Sequence, residues 1–169
     1  MNFQALKAEC IATSVYASGV YGGRNLKVTL PEVTPQTIEV NAAGGKLELP
    51  IWQQLAAMEA SISKEGLDKS FLEAIKPEAF DLIINIVQKS VDADGTAAYE
   101  HVKVFMRVIP KGIPGMDITP GEQGEKQISF TVLSYQLSVD GTTYLHIDVV
   151  KGKCEVNGKD YMSEVNSML

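Results

Sequence analysis

The chain has 169 residues, of which 45% are hydrophobic and 21% charged, and its net charge at pH 7 is −6. That length and composition fit one globular domain, residues 1–169, with enough apolar side chain for a single sizeable core. The acidic balance, with no Lys/Arg run to offset it, excludes the basic surface that grips duplex phosphates tightly.

The first residues, Met1 to Lys7, lack a basic region followed by an apolar stretch, so no secretory signal is expected. Apolar stretches such as Leu82-Ile83-Ile84 and Ile86-Val87 are too short for a helix to span a bilayer. The expectation is a soluble protein made in the cytoplasm, without stable membrane association. Cys10 and Cys154 are far apart in sequence and read as reduced thiols.

Taken in chain order, Ile11–Tyr16 and Asn25–Leu30 read as a strand pair around Ser18-Gly19 and Gly22-Gly23. Residues 34–41 read as an extended arm. Across Leu55–Ser63, the alternation of Ala56, Met58, Ala60 and Ile62 predicts a strand, against the helix propensity of its alanines. Leu67, Phe71, Leu72 and Ile75 follow helical spacing, with Gly66 before them and Pro77 after, and predict one internal helix.

The clearest pattern follows. Phe80, Leu82, Ile84 and Ile86 alternate, Asp94-Gly95 supplies a turn, and Val102, Val104, Met106 and Val108 alternate on the return. This predicts a hairpin. Residues 110–125 hold three prolines and four glycines and read as a long loop, of the kind that orders on assembly or serves function. A second hairpin spans Gln127–Val156 and turns at Asp140-Gly141. Ile128, Phe130 and Val132 share one face, but Leu133, Tyr135, Leu137 and Val139 take the other parity. That phase change predicts a bulge near Val132-Leu133. Leu145, Ile147 and Val149 alternate on the return strand, and a short helix over about 160–167 follows the Asn157-Gly158 turn. The fold class is mainly β (sandwich or barrel-like), with one flanking helix and a short C-terminal helix.

No chemistry-bearing constellation emerges. His101 and His146 sit mid-strand among polar neighbours, as surface or interface histidines do. No Ser or Cys stands in a G-x-S-x-G elbow. Gly112, Gly115, Gly121 and Gly124 lack the strand–loop–helix context of a phosphate cradle. Asp92/Asp94 belongs to a turn, Glu122/Glu125 lacks an EF-hand pattern, and the six tyrosines have no basic patch beside them. Catalytic, cofactor-binding and metal residues are therefore expected to be none. Exposed sheet edges invite pairing with another copy, which a head-to-tail ring would close. A closed monomeric barrel would do the same.

The C-terminal half has a more specific texture. It comprises Gly121-Glu122-Gln123-Gly124-Glu125, the strand Ile128–Val139 with Tyr135 and Leu137, the Asp140-Gly141 turn, Ile147-Asp148, and Val156-Asn157-Gly158 before Asp160. In that order the set resembles the major tail tube proteins of contractile-tailed phages and phage-tail-like particles. The resemblance is dense over Lys103–Asp160 and thinner upstream, where Met106-Arg107 and Val28-Thr29-Leu30-Pro31 also match. It departs over Val40–Ala60.

The resemblance implies a structural, non-enzymatic subunit without a cofactor. Six copies would form a ring, their inner strands joining into one β-barrel around a lumen. Rings would stack into a tube inside a contractile sheath, with baseplate and tail-terminator proteins at the ends and a tape measure protein in the lumen. The tube would penetrate a target envelope, for DNA delivery in a phage or for killing in a tail-like bacteriocin. DNA would pass without specific binding, past an acidic and weakly adhesive wall. The place implied is a virion tail or an extracellular tail-like particle, assembled in the host bacterial cytoplasm. Residues 34–50 and 110–125 are then candidates for ordering against neighbours, and the Gln127–Val156 hairpin for a subunit interface. The alternatives are a type VI-like secretion tube subunit and a monomeric β-barrel binding module or enzyme.

Overall fold

A computed structural model describes residues 6–66, 69, 76–92, 94–115 and 117–169. Among them the strands are β1 (Leu6–Ala17), β2 (Val20–Arg24), β3 (Lys27–Thr29), β4 (Pro35–Ala42), β5 (Gly45–Leu55) and β6 (Glu59–Glu65). Then come β7 (Phe80–Val91), β8 (Ala97–Pro110), β9 (Glu125–Val139), β10 (Thr142–Asp148), β11 (Lys153–Val156) and β12 (Lys159–Asp160). One short helix, α1 (Ser163–Ser167), closes the chain. The expected mainly β class is what the molecule has, as an open antiparallel sheet. The internal helix expected from Leu67, Phe71, Leu72 and Ile75 lies outside the described residues.

The main sheet runs β12-β11-β10-β9-β8-β7-β1-β2, and β3-β6 branches from β9. The branch follows from β9 itself. Its first half, from Glu125 to Thr131, pairs with β6, and its second half, from Ser134 to Val139, pairs with β10. The handover falls at the predicted bulge: Val108 faces Val132, Arg107 faces Ser134, and Leu133 is the extra residue. Both new neighbours hold the bulge, through Val132 N–H to Met58 O at 3.1 Å and Val149 N–H to Leu133 O at 3.1 Å. An inserted residue bends a strand and reverses side-chain parity beyond it, so one strand can serve two partners.

The core lies on one face of this branched sheet. Ile84, Val104, Met106, Val108 and Ile147 are completely buried, and Phe130, Met58, Ala60 and Leu82 nearly so. The β7–β8 register explains the pattern, because Leu82 faces Met106 and Ile84 faces Val104, so the even positions of both strands point inward together. Phe80 and Phe130 meet edge to face at 5.8 Å between centroids. Such a contact adds about 0.5–1.5 kcal/mol beyond area burial.

Several elements differ from expectation. The partner of β1 is Val20–Arg24, reached through a tight turn with positive φ at Ser18 and Gly19, and not Asn25–Leu30. Asn25, at φ 57°, redirects the chain so that Lys27–Thr29 pairs with β6. Gly23 permits this bend: at φ 153° a Cβ there would stand 3.0 Å from the Leu26 side chain. The extended arm is half of a hairpin, β4–β5. Val149 is not in a strand: the chain turns over residues 149–152, leaving β11 as a separate strand. Tyr135, in the middle of the Gln127–Val156 hairpin, is 3% exposed and belongs to the core. The bulge accounts for the change of apolar parity along its strand.

Candidate assembly surfaces

The first surface is the β4–β5 hairpin. It forms a two-stranded sheet of its own, outside the main one. Gln36 faces Ile51, Ile38 faces Leu49 and Val40 faces Leu47, so one side of the hairpin is an apolar ladder. Thr37, Glu39, Asn41, Lys46 and Glu48 share the other side, where Lys46 pairs with Glu39 at 3.0 Å. Ile38, Leu47 and Leu49 remain 48%, 51% and 43% exposed. The hairpin is secured near its base, where Ala56 N–H bonds Thr34 O at 2.8 Å and Val33 and Leu55 pack on the core. An isolated two-stranded ribbon is marginal in water and is stabilised when its apolar face is covered.

Open sheet edges form the second surface. Among the described residues, β2 pairs with β1 only over Ser14–Ala17, and no other strand pairs with the outer backbone edge of Leu6–Ala12, an arrangement that suits strand addition. The opposite edge ends in β12, two residues long. A short edge is a poor template for further pairing.

The loop between β8 and β9 is the third. Ile113 and Ile118 stand 74% and 80% exposed on it. Its ends are fixed by a Lys111–Glu59 ion pair, Lys111 N–H to Ser129 O at 2.9 Å, and Gly66 N–H to Gly124 O at 2.9 Å. Anchored ends with apolar side chains presented between them suit a docking segment.

The fourth is the face of β1, β7, β8 and β9 turned away from the core. His101 Nε2–H donates to Asn85 Oδ1 at 3.0 Å, and the Asn85 amide N–H donates to Ser14 Oγ at 3.4 Å. Arg107 pairs with Asp81 at 2.9 Å. A shallow groove of about 320 Å³ is lined by His101, Lys103, Phe105, Gln136, Ser138 and Gly141.

The residues weighed for chemistry are scattered. His146 faces Gln136 and Glu155 across its two ladders. Asp92 and Asp94 serve the β7–β8 turn, where Thr96 N–H bonds Asp94 Oδ1 at 3.2 Å and lowers the Asp94 pKa. Glu122 closes a loop turn, with its N–H on Thr119 O. Among the described residues, no three His, Cys, Asp or Glu side chains lie together as metal ligands would. Burial, and secondarily the charge of Asp160, pushes the Cys154 thiol pKa up. Cys10 is exposed. No described helix is long and apolar enough to cross a membrane.

An uncovered apolar ribbon, an open edge and an anchored apolar loop define a class of chain: a β-rich protein built to associate. The chain belongs to the phage tail tube protein FII family, whose model matches residues 10–169. It is accordingly a structural subunit of a phage tail tube, a protein that associates with itself and with other tail components in the virion tail. A comparison with curated proteins finds no match. The sequence pattern had indicated the loop and an extended arm at residues 34–41. It missed the hairpin's apolar ladder, which was legible as alternation at Ile38, Val40, Leu47 and Leu49.

Proposed function

We propose that this chain is the inner-tube subunit of a contractile tail, a single non-catalytic domain without cofactor or metal that assembles into stacked six-membered rings. The observation that carries this reading is the uncovered β4–β5 ladder on a chain of the tail tube family. Covering one large apolar side chain contributes about 1.5–3 kcal/mol, and Ile38, Val40, Leu47, Leu49 and Ile51 lie on one side. That ladder suits contact with a neighbouring copy or the next ring. The open Leu6–Ala12 edge of β1 suits strand addition within a ring, which would carry the long strands from copy to copy around a lumen. A heterologous contact repeated by rotation closes into a ring, and copies of the ring stack into a tube.

In this reading a contractile sheath surrounds the tube, and a tape measure protein, then DNA in a phage, occupies the lumen. A tail-like particle that kills without DNA would use the same subunit. Size-exclusion chromatography with light scattering, then negative-stain microscopy of the same fractions, tests the proposal. Rings or hollow tubes are the expected result. A monomer at every concentration, with tail initiator components present, would overturn it.

A further inference from the structure

We propose that Trp52 is a latch that fixes the angle of the β4–β5 ribbon against the body of the chain, and that Trp52, Gln53 and Gln54 form the hinge it controls. The register of the ribbon breaks at its base. Pro35 faces Leu55, but the next residue, Gln36, faces Ile51, so Trp52, Gln53 and Gln54 have no partner on β4. Extra residues on one strand interrupt a ladder and bend it locally. On the body side of the break, Val33 and Leu55 pack on the core and Ala56 N–H bonds Thr34 O. On the far side, residues 36–42 and 45–51 pair only with each other among the described residues. That arm is about 23 Å long at the usual rise per residue, so a rotation of about 10° at the break would carry its tip through about 4 Å. An arm of that reach keeps one direction only if something beyond the break holds it.

Trp52 is placed to do this. It is 39% exposed, and with Leu55 it lines one side of a small cleft of about 60 Å³ whose other side is formed by Val149, Gly152 and Met162. That other side is braced. Gly152, at φ 68°, ends the turn of residues 149–152, and the Asn166 side-chain amide donates to Gly152 O at 3.1 Å. Met162 N–H donates to Asp160 Oδ1 at 2.9 Å, and Lys151 N–H to Asp148 Oδ1 at 2.9 Å. No residue of α1 is buried, so the helix adds nothing to the core. Through Asn166 it steadies the turn that Trp52 meets. Position is thus passed from α1 to the turn, from the turn to Trp52, and from Trp52 to an arm bearing the apolar ladder. An arm fixed before association pays less ordering cost when it docks. The use of the arm in assembly rests on the tube reading, whereas the latch is a property of the single chain.

The test is the distance between spin labels at Gly44→Cys on the ribbon tip and Lys103→Cys on β8, measured by pulsed dipolar spectroscopy. The chain carries Cys10→Ser and is shown by light scattering to be unassembled. A side chain at residue 44 meets nothing within 4 Å, and residue 103 is exposed. Cys154, 2% exposed, stays unlabelled. The latched ribbon should give one narrow distance. Trp52→Ala should lose that peak to a broad distribution, and Asn166→Ala should broaden it as well. Trp52→Phe, which keeps an aromatic ring at the cleft, should retain the narrow peak. Thermal melts of each variant establish that it is folded. A broad distribution in the parent, or a peak that stays narrow in Trp52→Ala, overturns the proposal. A peak that stays narrow in Asn166→Ala overturns the brace by α1. Chain that is latched but never forms rings would overturn the tube reading alone. Chain that forms rings from a broad distribution would overturn only the latch.

Discussion

Val132 and Tyr135 stand three residues apart on β9, yet each is 3% exposed and enters the same core. An unbroken strand would put them on opposite faces. The extra residue Leu133 reconciles them, and the same site passes the β9 edge from β6 to β10.

This arrangement separates two changes of equal size. Deleting Leu133 leaves Val132 and Tyr135 inward and should yield a folded chain. It loses the bend and the Val149–Leu133 bond, at about 1 kcal/mol per hydrogen bond. Inserting an alanine after Ser134 turns Tyr135, Leu137 and Val139 outward. That costs on the order of 5–9 kcal/mol, comparable to the whole stability of a domain. Urea denaturation should show a cooperative transition for the deletion and none for the insertion.

The exposed hairpin predicts a separation of stability from assembly. Leu47 and Leu49 are already 51% and 43% exposed, so Leu47→Asp/Leu49→Asp should lower the thermal midpoint of the unassembled chain by only a few degrees. Assembly should be lost, because two charges would enter an apolar contact. Light scattering of melted-and-matched samples checks both halves. Normal rings from the double variant would remove the hairpin from the interface.

Tyr135 predicts an alkaline transition. Burial raises its pKa above the ordinary value of 10.0. A folded-state value above the unfolded one means the stabilisation is complete below about pH 10 and is lost as pH rises through the folded value. Tyr135→Phe removes this loss, so its urea midpoint should fall less steeply than the parent's between pH 9 and 11. Parallel decline in the two proteins would place the alkaline sensitivity elsewhere.

The two thiols should differ sharply. Cys154 is 2% exposed with a raised pKa, while Cys10 is exposed. Because the thiolate is the reactive form, a chromogenic disulfide reagent at pH 8 should titrate Cys10 quickly in the native, unassembled chain. Cys154 should react only after denaturant is added. Two equally fast thiols would contradict the packing around β11.

The parts of this fold legible in the sequence are those whose partners are close along the chain. The β7–β8 hairpin, the Asp140-Gly141 and Asn157-Gly158 turns, and the bulge at Leu133 all follow from side-chain alternation and local φ preference. Both turns place an Asp or Asn at positive φ before a glycine, as Asp140 at 48° and Gly141 at 84° show. The residues 121–160 that carried the tail tube resemblance lie in this locally determined half.

Tertiary structure decided what depends on distant partners. Periodicity cannot say that Lys27–Thr29 leaves β2 to pair with β6, since a strand of three residues carries almost no pattern of its own. Nor can it say that Tyr135 faces the core and Lys103 an uncovered groove, because alternation defines two faces without naming which is buried. Net charge likewise sums over the whole chain, whereas a contact surface depends on which few charges share one face. Local residue order dictates strands, turns and the phase of each face. Only packing across β6, β9 and β10 decided which faces are covered, because burial is set by neighbours that the chain brings together from far apart.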